Sequence, residues 1–330
     1  MATKRERGRG ERVLPGLWRL RLPLPWAPRV PHGNAWAIAA GSGFVLVDCG
    51  VHARGSLADL EQALEMVGLQ LEQASLLVVT HAHHDHWGEA ATVVERAGCE
   101  LWMHPDVAHA RAEVAEREPG LQRRLEHMRR AGIPDQLIAD YAEDYRGSPM
   151  YVAGDVRADR PLVDGVRVQT DLGTWTTYET PGHAPSEVCL HLPGRRLLIS
   201  GDHLLGRVAL YFDYGYAEDP VGAFLTSLDR VAGLDSRLGL SGHGKPFVDV
   251  PGHIAASRRA TAQRQTAVRA ALDREPRSVA ELLAPIWNSR PDVDSAWWLT
   301  SQTLAHLTHL EATGQAARQP DGAQVRWRAA

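Results

Sequence analysis

The chain has 330 residues, 44% of them hydrophobic and 23% charged, with a formal net charge of −4. That length suits one large domain with a smaller one beside it, and the composition is that of an ordinary soluble globular protein. The charge balance offers no general pull toward nucleic acid or an anionic membrane, and three cysteines (Cys49, Cys99, Cys189) without paired spacing argue against a disulfide framework or a cysteine zinc site.

Residues 1–12 hold the basic run Lys4-Arg5-Glu6-Arg7-Gly8-Arg9 and read as a disordered tail. Val13 to Trp26 is interrupted by Arg19, Arg21 and prolines, so no signal peptide is expected there, and no apolar run is long enough to span a membrane. A cytoplasmic protein is the expectation. Leu17 to Leu22, Asn34 to Ala40 and Phe44 to Asp48 read as strands, the last two joined by the hairpin signal Gly41-Ser42-Gly43. Leu57 to Val67 has helical periodicity. Ser75 to Val79 is a buried strand, Glu89 to Ala97 a helix and Glu100 to Met103 a short strand.

The highly charged stretch 105–146 reads as two or three helices broken at Pro119-Gly120 and Gly132-Ile133-Pro134, a solvated helical cap that would serve as a lid. Strands resume at Pro161 to Val168, Thr174 to Glu179, Val188 to Leu192 and Arg196 to Ser200. A helix at Val221 to Val231 and a strand at Leu238 to Ser241 follow. From Ile254 the pattern is helical, over Ile254 to Leu272, Ser278 to Leu283 and Ala296 to Glu311, with a small β-wing over Gly314 to Trp327. These boundaries divide the chain into a catalytic domain, 13–252, and a C-terminal module, 253–330.

Between the strand at 75–79 and the next helix lies Thr80-His81-Ala82-His83-His84-Asp85-His86-Trp87-Gly88. Imidazole and carboxylate are ligands for zinc, iron and manganese. A loop after a strand can aim several of them into one cleft. Four histidines and an aspartate in six residues have no structural purpose that other residues would not serve better. Matching single residues follow later strands: His183 in Thr180-Pro181-Gly182-His183, Asp202 in Ser200-Gly201-Asp202-His203 and His243 in Ser241-Gly242-His243-Gly244. Asp48 ends an earlier strand in the same way. Taken singly, such histidines are more often ordinary hydrogen-bonded residues. His84 is read as structural, and His203 is given no role.

The loop resembles the His-X-His-X-Asp-His signature of the metallo-β-lactamase superfamily, and the order of His183, Asp202 and His243 after it matches that family's remaining motifs, across roughly residues 14–250. The resemblance implies an α+β chain folded as a four-layer αββα sandwich with two metals at one edge. By position, His81, His83 and His183 would hold one metal; Asp85, His86 and His243 would hold the second; Asp202 would bridge them. Two divalent ions, zinc first and iron or manganese as alternatives, would share a bridging hydroxide as nucleophile across about 3.5–4 Å. Asp85 would act catalytically by orienting the hydroxide or carrying its proton. Asp48 would fix a ligand histidine from behind. The C-terminal module resembles the winged-helix-like domain of the lactamase-β-2-like group, on the weak pattern Ala305-His306-Leu307-Thr308-His309-Leu310 with Gly314.

The superfamily spans many reactions, and fold does not choose among them. An aspartate at 202 and the missing signal peptide argue against a secreted β-lactamase. The basic residues of a hydroxyacylglutathione hydrolase are not found. A dinuclear hydrolase of a small ester, thioester or lactone is therefore expected, with Trp26, Tyr211, Phe212, Tyr214 and Tyr216 as pocket walls. The alternative is an endoribonuclease cutting single-stranded RNA at the same two metals. Against it stand the net negative charge and the lack of a basic groove interleaved with aromatics. A winged-helix DNA-binding regulator is a third reading, and a complete metal-ligand set speaks against it. A small-molecule substrate is expected, with no nucleic-acid or membrane partner; a homodimer is compatible with the sequence.

Overall fold

A computed structural model describes residues 6–26, 30–111 and 114–330. A seven-stranded sheet runs in chain order: β1 (Arg9–Leu14), β2 (Leu17–Pro23), β3 (His32–Ala40), β4 (Gly43–Val47), β5 (Ala74–Val79), β6 (Glu100–Met103) and β7 (Arg160–Pro161). Its first four strands are antiparallel neighbours; β4 through β7 are parallel. Helices α1 (Ser56–Glu65), α2 (His84–Trp87) and α3 (Ala90–Ala97) connect the later strands. After β6 come α4 (Ala108–Arg111), α5 (Arg117–Arg130) and α6 (Asp135–Gly147).

The second sheet holds β8 (Arg167–Thr170), β9 (Gly173–Glu179), β10 (Val188–Leu192), β11 (Leu197–Gly201), β12 (Leu238–Ser241) and β13 (Phe247–Val248), in the order β13-β12-β11-β10-β9-β8. Helix α7 (Pro220–Ala232) links β11 to its parallel neighbour β12. The chain ends with α8 (Val250–Ala271), β14 (Arg277–Ser278), α9 (Val279–Trp287), α10 (Ala296–Ala312), β15 (Ala316–Asp321) and β16 (Gln324–Ala329), whose strands form a small sheet in the order β14-β16-β15. No helix among the described residues is long and apolar enough to cross a membrane.

Strand alternation builds the layers. Val45 and Val47 on β4 meet Trp175, Val188 and Leu190 of the second sheet. Phe44 and Leu46, on the other face, pack beneath Leu60 and Leu64 of α1 and Val93 of α3. On the far side, Cys189 and Leu198 turn to Phe224 and Leu228 of α7 and Ile254 of α8. The result is a four-layer αββα sandwich.

Four expectations are corrected. Residues 9–14 are strand β1 rather than tail, since Gly8 and Gly10 let the backbone lie against α1; a Cβ on Gly8 would sit 1.8 Å from the Asp59 carbonyl oxygen. The Gly8 amide donates to Asp59 Oδ1 at 3.1 Å. Of the rest of the expected tail, residues 6–8 lead into the strand without regular structure, and residues 1–5 lie outside the described residues. Pro119-Gly120 does not break a helix, because Pro119 falls in the first turn of α5, where its missing N–H is not needed. The strand expected over 161–168 is two strands, β7 and β8, in different sheets.

The fourth correction concerns the insert, which is not a solvated cap. Leu121, Leu125 and Met128 of α5 and Ile138 of α6 share one apolar cluster with Val268, Leu282, Leu283, Leu307 and Trp327. The Ala280 amide also donates to the Ala131 carbonyl at 2.9 Å.

Candidate metal centre

The parallel pairs β4–β5 and β11–β12 end at the same rim, so the loops beyond their carboxyl ends converge. Asp48 follows β4, Thr80 and His81 follow β5, Asp202 follows β11, and His243 follows β12. His83 stands in extended conformation just before α2, whose single turn carries Asp85 and His86. His183 lies on the loop between β9 and β10. Backbone bonds lock the two sheets at this rim: Val188 N to Thr80 O at 2.9 Å and Asn34 N to Gly242 O at 2.7 Å.

The structure brings all seven sequence-predicted ligands together. Ligand atoms of His81, His83 and His183 lie within 4.8 Å of one another, as do those of Asp85, His86 and His243. A third group, His81, His86 and Asp202, joins the two sets at the same spacing. Asp202 Oδ2 is 3.2 Å from His243 Nε2 and 3.8 Å from His183 Nε2. Asp85 Oδ2 is 3.3 Å from His243 Nε2.

Four of the five ligand histidines are held from behind. Asp48 Oδ2 meets His86 Nδ1 at 2.9 Å while the carboxylate also accepts from Thr80 N and Thr80 Oγ1. Asp213 Oδ2 meets His83 Nε2 at 2.8 Å. Glu187 Oε2 and Thr80 Oγ1 flank His81 Nδ1 at 3.3 and 3.1 Å. The His32 carbonyl oxygen lies 3.0 Å from His243 Nδ1.

The inward atoms are the ones left over. His81 Nε2, His86 Nε2 and Asp202 Oδ1 are buried with no hydrogen-bond partner among the described residues. Orphaned buried polar atoms are costly and rare, and a cluster of them at ligand spacing fits divalent metal. The charges agree. Burial pushes the His86 imidazole down, but Asp85, Asp202 and Asp48 outweigh it and hold the ring up at about 9. Burial raises Asp85 and Asp202, yet the surrounding histidines bring both below the usual carboxylate range. Burial, reinforced by His83, depresses His183 to about 4. A cation among these carboxylates displaces protons from imidazole nitrogens, the linkage expected of a metal site.

A cavity of about 180 Å³ opens beside His83, walled by Trp87, Tyr211, Tyr216 and Trp297, with Arg124 at its edge. Of the aromatics expected there, Tyr211 and Tyr216 line it. Trp26 does not, but meets the His84 ring edge-on at 5.0 Å, and His84 itself lines the cavity. Phe212 is wholly buried in the packing around α7, and Tyr214 faces His127 at 5.1 Å; neither is a pocket wall. His203 lies outside the cluster, packed on Phe224.

Sequence reasoning missed Glu187, Asp213 and His109. His109 is particular. Ser186 Oγ accepts from the Ala82 amide at 2.9 Å and stands 3.1 Å from His109 Nε2. The other ring nitrogen, Nδ1, is buried with no partner among the described residues. Among sequence signals, only an acidic residue inside an aromatic run, Tyr211-Phe212-Asp213-Tyr214, pointed to any of the three.

Gly242 sets how tightly the cluster closes. A Cβ there would lie 2.2 Å from Asp202 Oδ1 and 2.5 Å from His86 Cε1. Gly242→Ala is therefore expected to cut turnover by about 100-fold through displaced ligands. The strand pairing is retained. Metal content per chain and far-ultraviolet circular dichroism check both halves of that expectation.

The sequence pattern of the metallo-β-lactamase superfamily matches residues 28–243. A metallo-β-lactamase family protein from Thermus thermophilus superposes with a TM-score of 0.81 at 26% identity, covering 97% of this chain and 100% of that one. The probable metallo-hydrolase YqjP of Bacillus subtilis is 25% identical over 305 residues, 89% of this chain and 91% of its own. A protein of Aspergillus chevalieri named atrochrysone carboxyl ACP thioesterase is 22% identical over 326 residues, 96% of this chain and 88% of its own. The chain is 26% identical to the lactamase-like protein adaB of Aspergillus niger over 241 residues, 73% of this chain, and spans 59% of adaB's length. Fold, ligand order and sequence pattern agree: the chain belongs to the metallo-β-lactamase superfamily.

Proposed function

We propose that this enzyme hydrolyses a small acyl thioester, ester or lactone at a two-metal site. The carrying observation is the set of buried, unpartnered ligand atoms on His81, His86 and Asp202, clustered with His83, which lines a small aromatic cavity. His81, His83 and His183 would hold one ion, Asp85, His86 and His243 a second, and Asp202 reaches toward both. Zinc is the proposed metal, since imidazole and carboxylate suit it. When bound, such ions supply Lewis acidity toward an acyl oxygen and make water acidic near neutral pH.

The chain's own groups do the rest. Asp48, Asp213 and Glu187 orient the ligand rings. Asp85, kept ionised by the histidines around it and with its Oδ2 beside His243, would orient the attacking water or pass its proton on. His109, whose Nδ1 is unpartnered among the described residues, lines the cavity. Tyr211, Tyr216, Trp87 and Trp297 exclude water and favour an apolar acyl group.

The thioesterase-named relative supports an acyl thioester within this class. A cavity of about 180 Å³ suits a small molecule better than a strand of RNA. We place the reaction in the cytoplasm, consistent with three buried free cysteines.

The test is thiol release from a short-chain acyl thioester by zinc-loaded protein. His83→Ala is expected to reduce it by at least about 1,000-fold. Cleavage of RNA oligomers with no turnover of any acyl ester, thioester or lactone would overturn the proposal.

A further inference from the structure

A second cavity, of about 540 Å³, lies among the C-terminal helices, away from every ligand named above. Leu210 and Ala260 give it apolar walls, and Trp287 and Trp298 give it a flat aromatic one. The two indoles meet edge-to-face at 4.9 Å. Trp298 is 39% exposed, one of few large apolar side chains left open to water. Core packing gives no reason for that exposure.

Two polar groups face this wall. The Arg264 guanidinium stacks 3.7 Å from the Trp287 ring centroid. One of its donors, Nη1, bonds the Ile286 carbonyl at 3.1 Å near the end of α9. That bond accounts for one of the five N–H donors of a guanidinium. Among the described residues no carboxylate pairs with Arg264, and burial alone lowers its pKa. The other group is His306, 2% exposed on α10. Gln265 Nε2 donates to its Nδ1 at 2.9 Å, which leaves the ring hydrogen on Nε2, and the ring lines the cavity. A cation without a counter-ion and a buried donor thus stand together over an aromatic surface.

We propose that this cavity is a second ligand site, for a small molecule with a carboxylate head on a flat apolar body. The head sits between Arg264 and His306 Nε2, where charge-assisted hydrogen bonds replace the missing counter-ion. The body lies against Trp287 and Trp298. The site does not depend on the metal reading, because none of its residues belongs to the metal cluster. It is tied to the catalytic cavity through the backbone, however, since Leu210 and Trp298 line the one and their neighbours Tyr211 and Trp297 the other. Gln302 lines the second site and clamps the Phe212 backbone from both sides, accepting from Phe212 N and donating to Phe212 O at 3.0 Å each.

The probe is 2-naphthoate, with neutral 2-naphthamide as its control, titrated into the full chain by isothermal calorimetry. Naphthoate is expected to bind with a Kd below about 1 mM, and naphthamide about tenfold more weakly. Arg264→Gln is expected to weaken naphthoate about tenfold. Trp298→Ala, at an exposed position that the fold tolerates, weakens both compounds, and His83→Ala changes neither. Absence of binding at millimolar naphthoate overturns the proposal. So does binding that survives both Arg264→Gln and Trp298→Ala, or that His83→Ala abolishes, which would place the probe in the catalytic cavity.

Discussion

Asp48→Asn is expected to lower metal affinity by about 10- to 100-fold while leaving the fold intact. Asp48 is 1% exposed and spends its whole carboxylate locally. Oδ1 accepts from Thr80 N at 2.7 Å; Oδ2 accepts from Thr80 Oγ1 and faces His86 Nδ1, both at 2.9 Å. An ionised carboxylate only accepts, so a His86 hydrogen stays on Nδ1, and Nε2, which faces Asp202 and Asp85, is the nitrogen that gives up its proton to a metal. An asparagine has an NH₂ group on one side. Facing His86, it donates to Nδ1 and moves the ring hydrogen to Nε2, where a metal would need the lone pair. Flipped, it sets a donor against the Thr80 amide. Asparagine tolerates the left-handed backbone at this position, φ 61°, so the strand end keeps its shape. Competition against a chromophoric chelator measures the affinity, and calorimetry of the chelated protein checks the fold. Unchanged zinc affinity in Asp48→Asn would remove Asp48 from the site.

Met128→Ala is expected to cost about 2–5 kcal/mol and to lower the midpoint of a single cooperative unfolding transition. Met128 is wholly buried on α5, in the cluster it shares with α8, α9 and α10. An independent lid would melt first and leave the sandwich standing. A lid built into the C-terminal core cannot do so, because the cavity left by the methionine is felt by helices on both sides. Leu283→Ala, on the C-terminal side of the same cluster, should therefore produce the same single shifted transition. Differential scanning calorimetry separates the alternatives: two resolved peaks in Met128→Ala would show the insert to be autonomous.

Much of this architecture was legible. The strands at 100–103, 188–192 and 238–241 match the sequence reading to the residue, because short apolar runs between clear breaks leave little choice of boundary. The ligands at 81, 83, 85 and 86 declared themselves by crowding. What stayed hidden depends on distance along the chain. Asp213 meets His83 across 130 residues, and its place in an aromatic run marks it as unusual without naming that partner. The aromatic run 211–216 misled for a local reason. Neighbours in an extended segment point opposite ways, so Tyr211 and Asp213 reach the cavity while Phe212 turns into the core. Strand β1 was hidden because charged residues and glycines resemble a tail until α1 is there to receive them.

The grip of Gln302 on Phe212 carries a consequence for descent. Phe212 stands between Tyr211 and Asp213, and Trp297 from the same helix start walls the catalytic cavity. The C-terminal segment is therefore no accessory that a lineage can exchange freely. A recombinant joining this sandwich to another relative's tail inherits a reaction chamber with one wall missing. Changes in what the cavity admits and changes in α10 have to travel together.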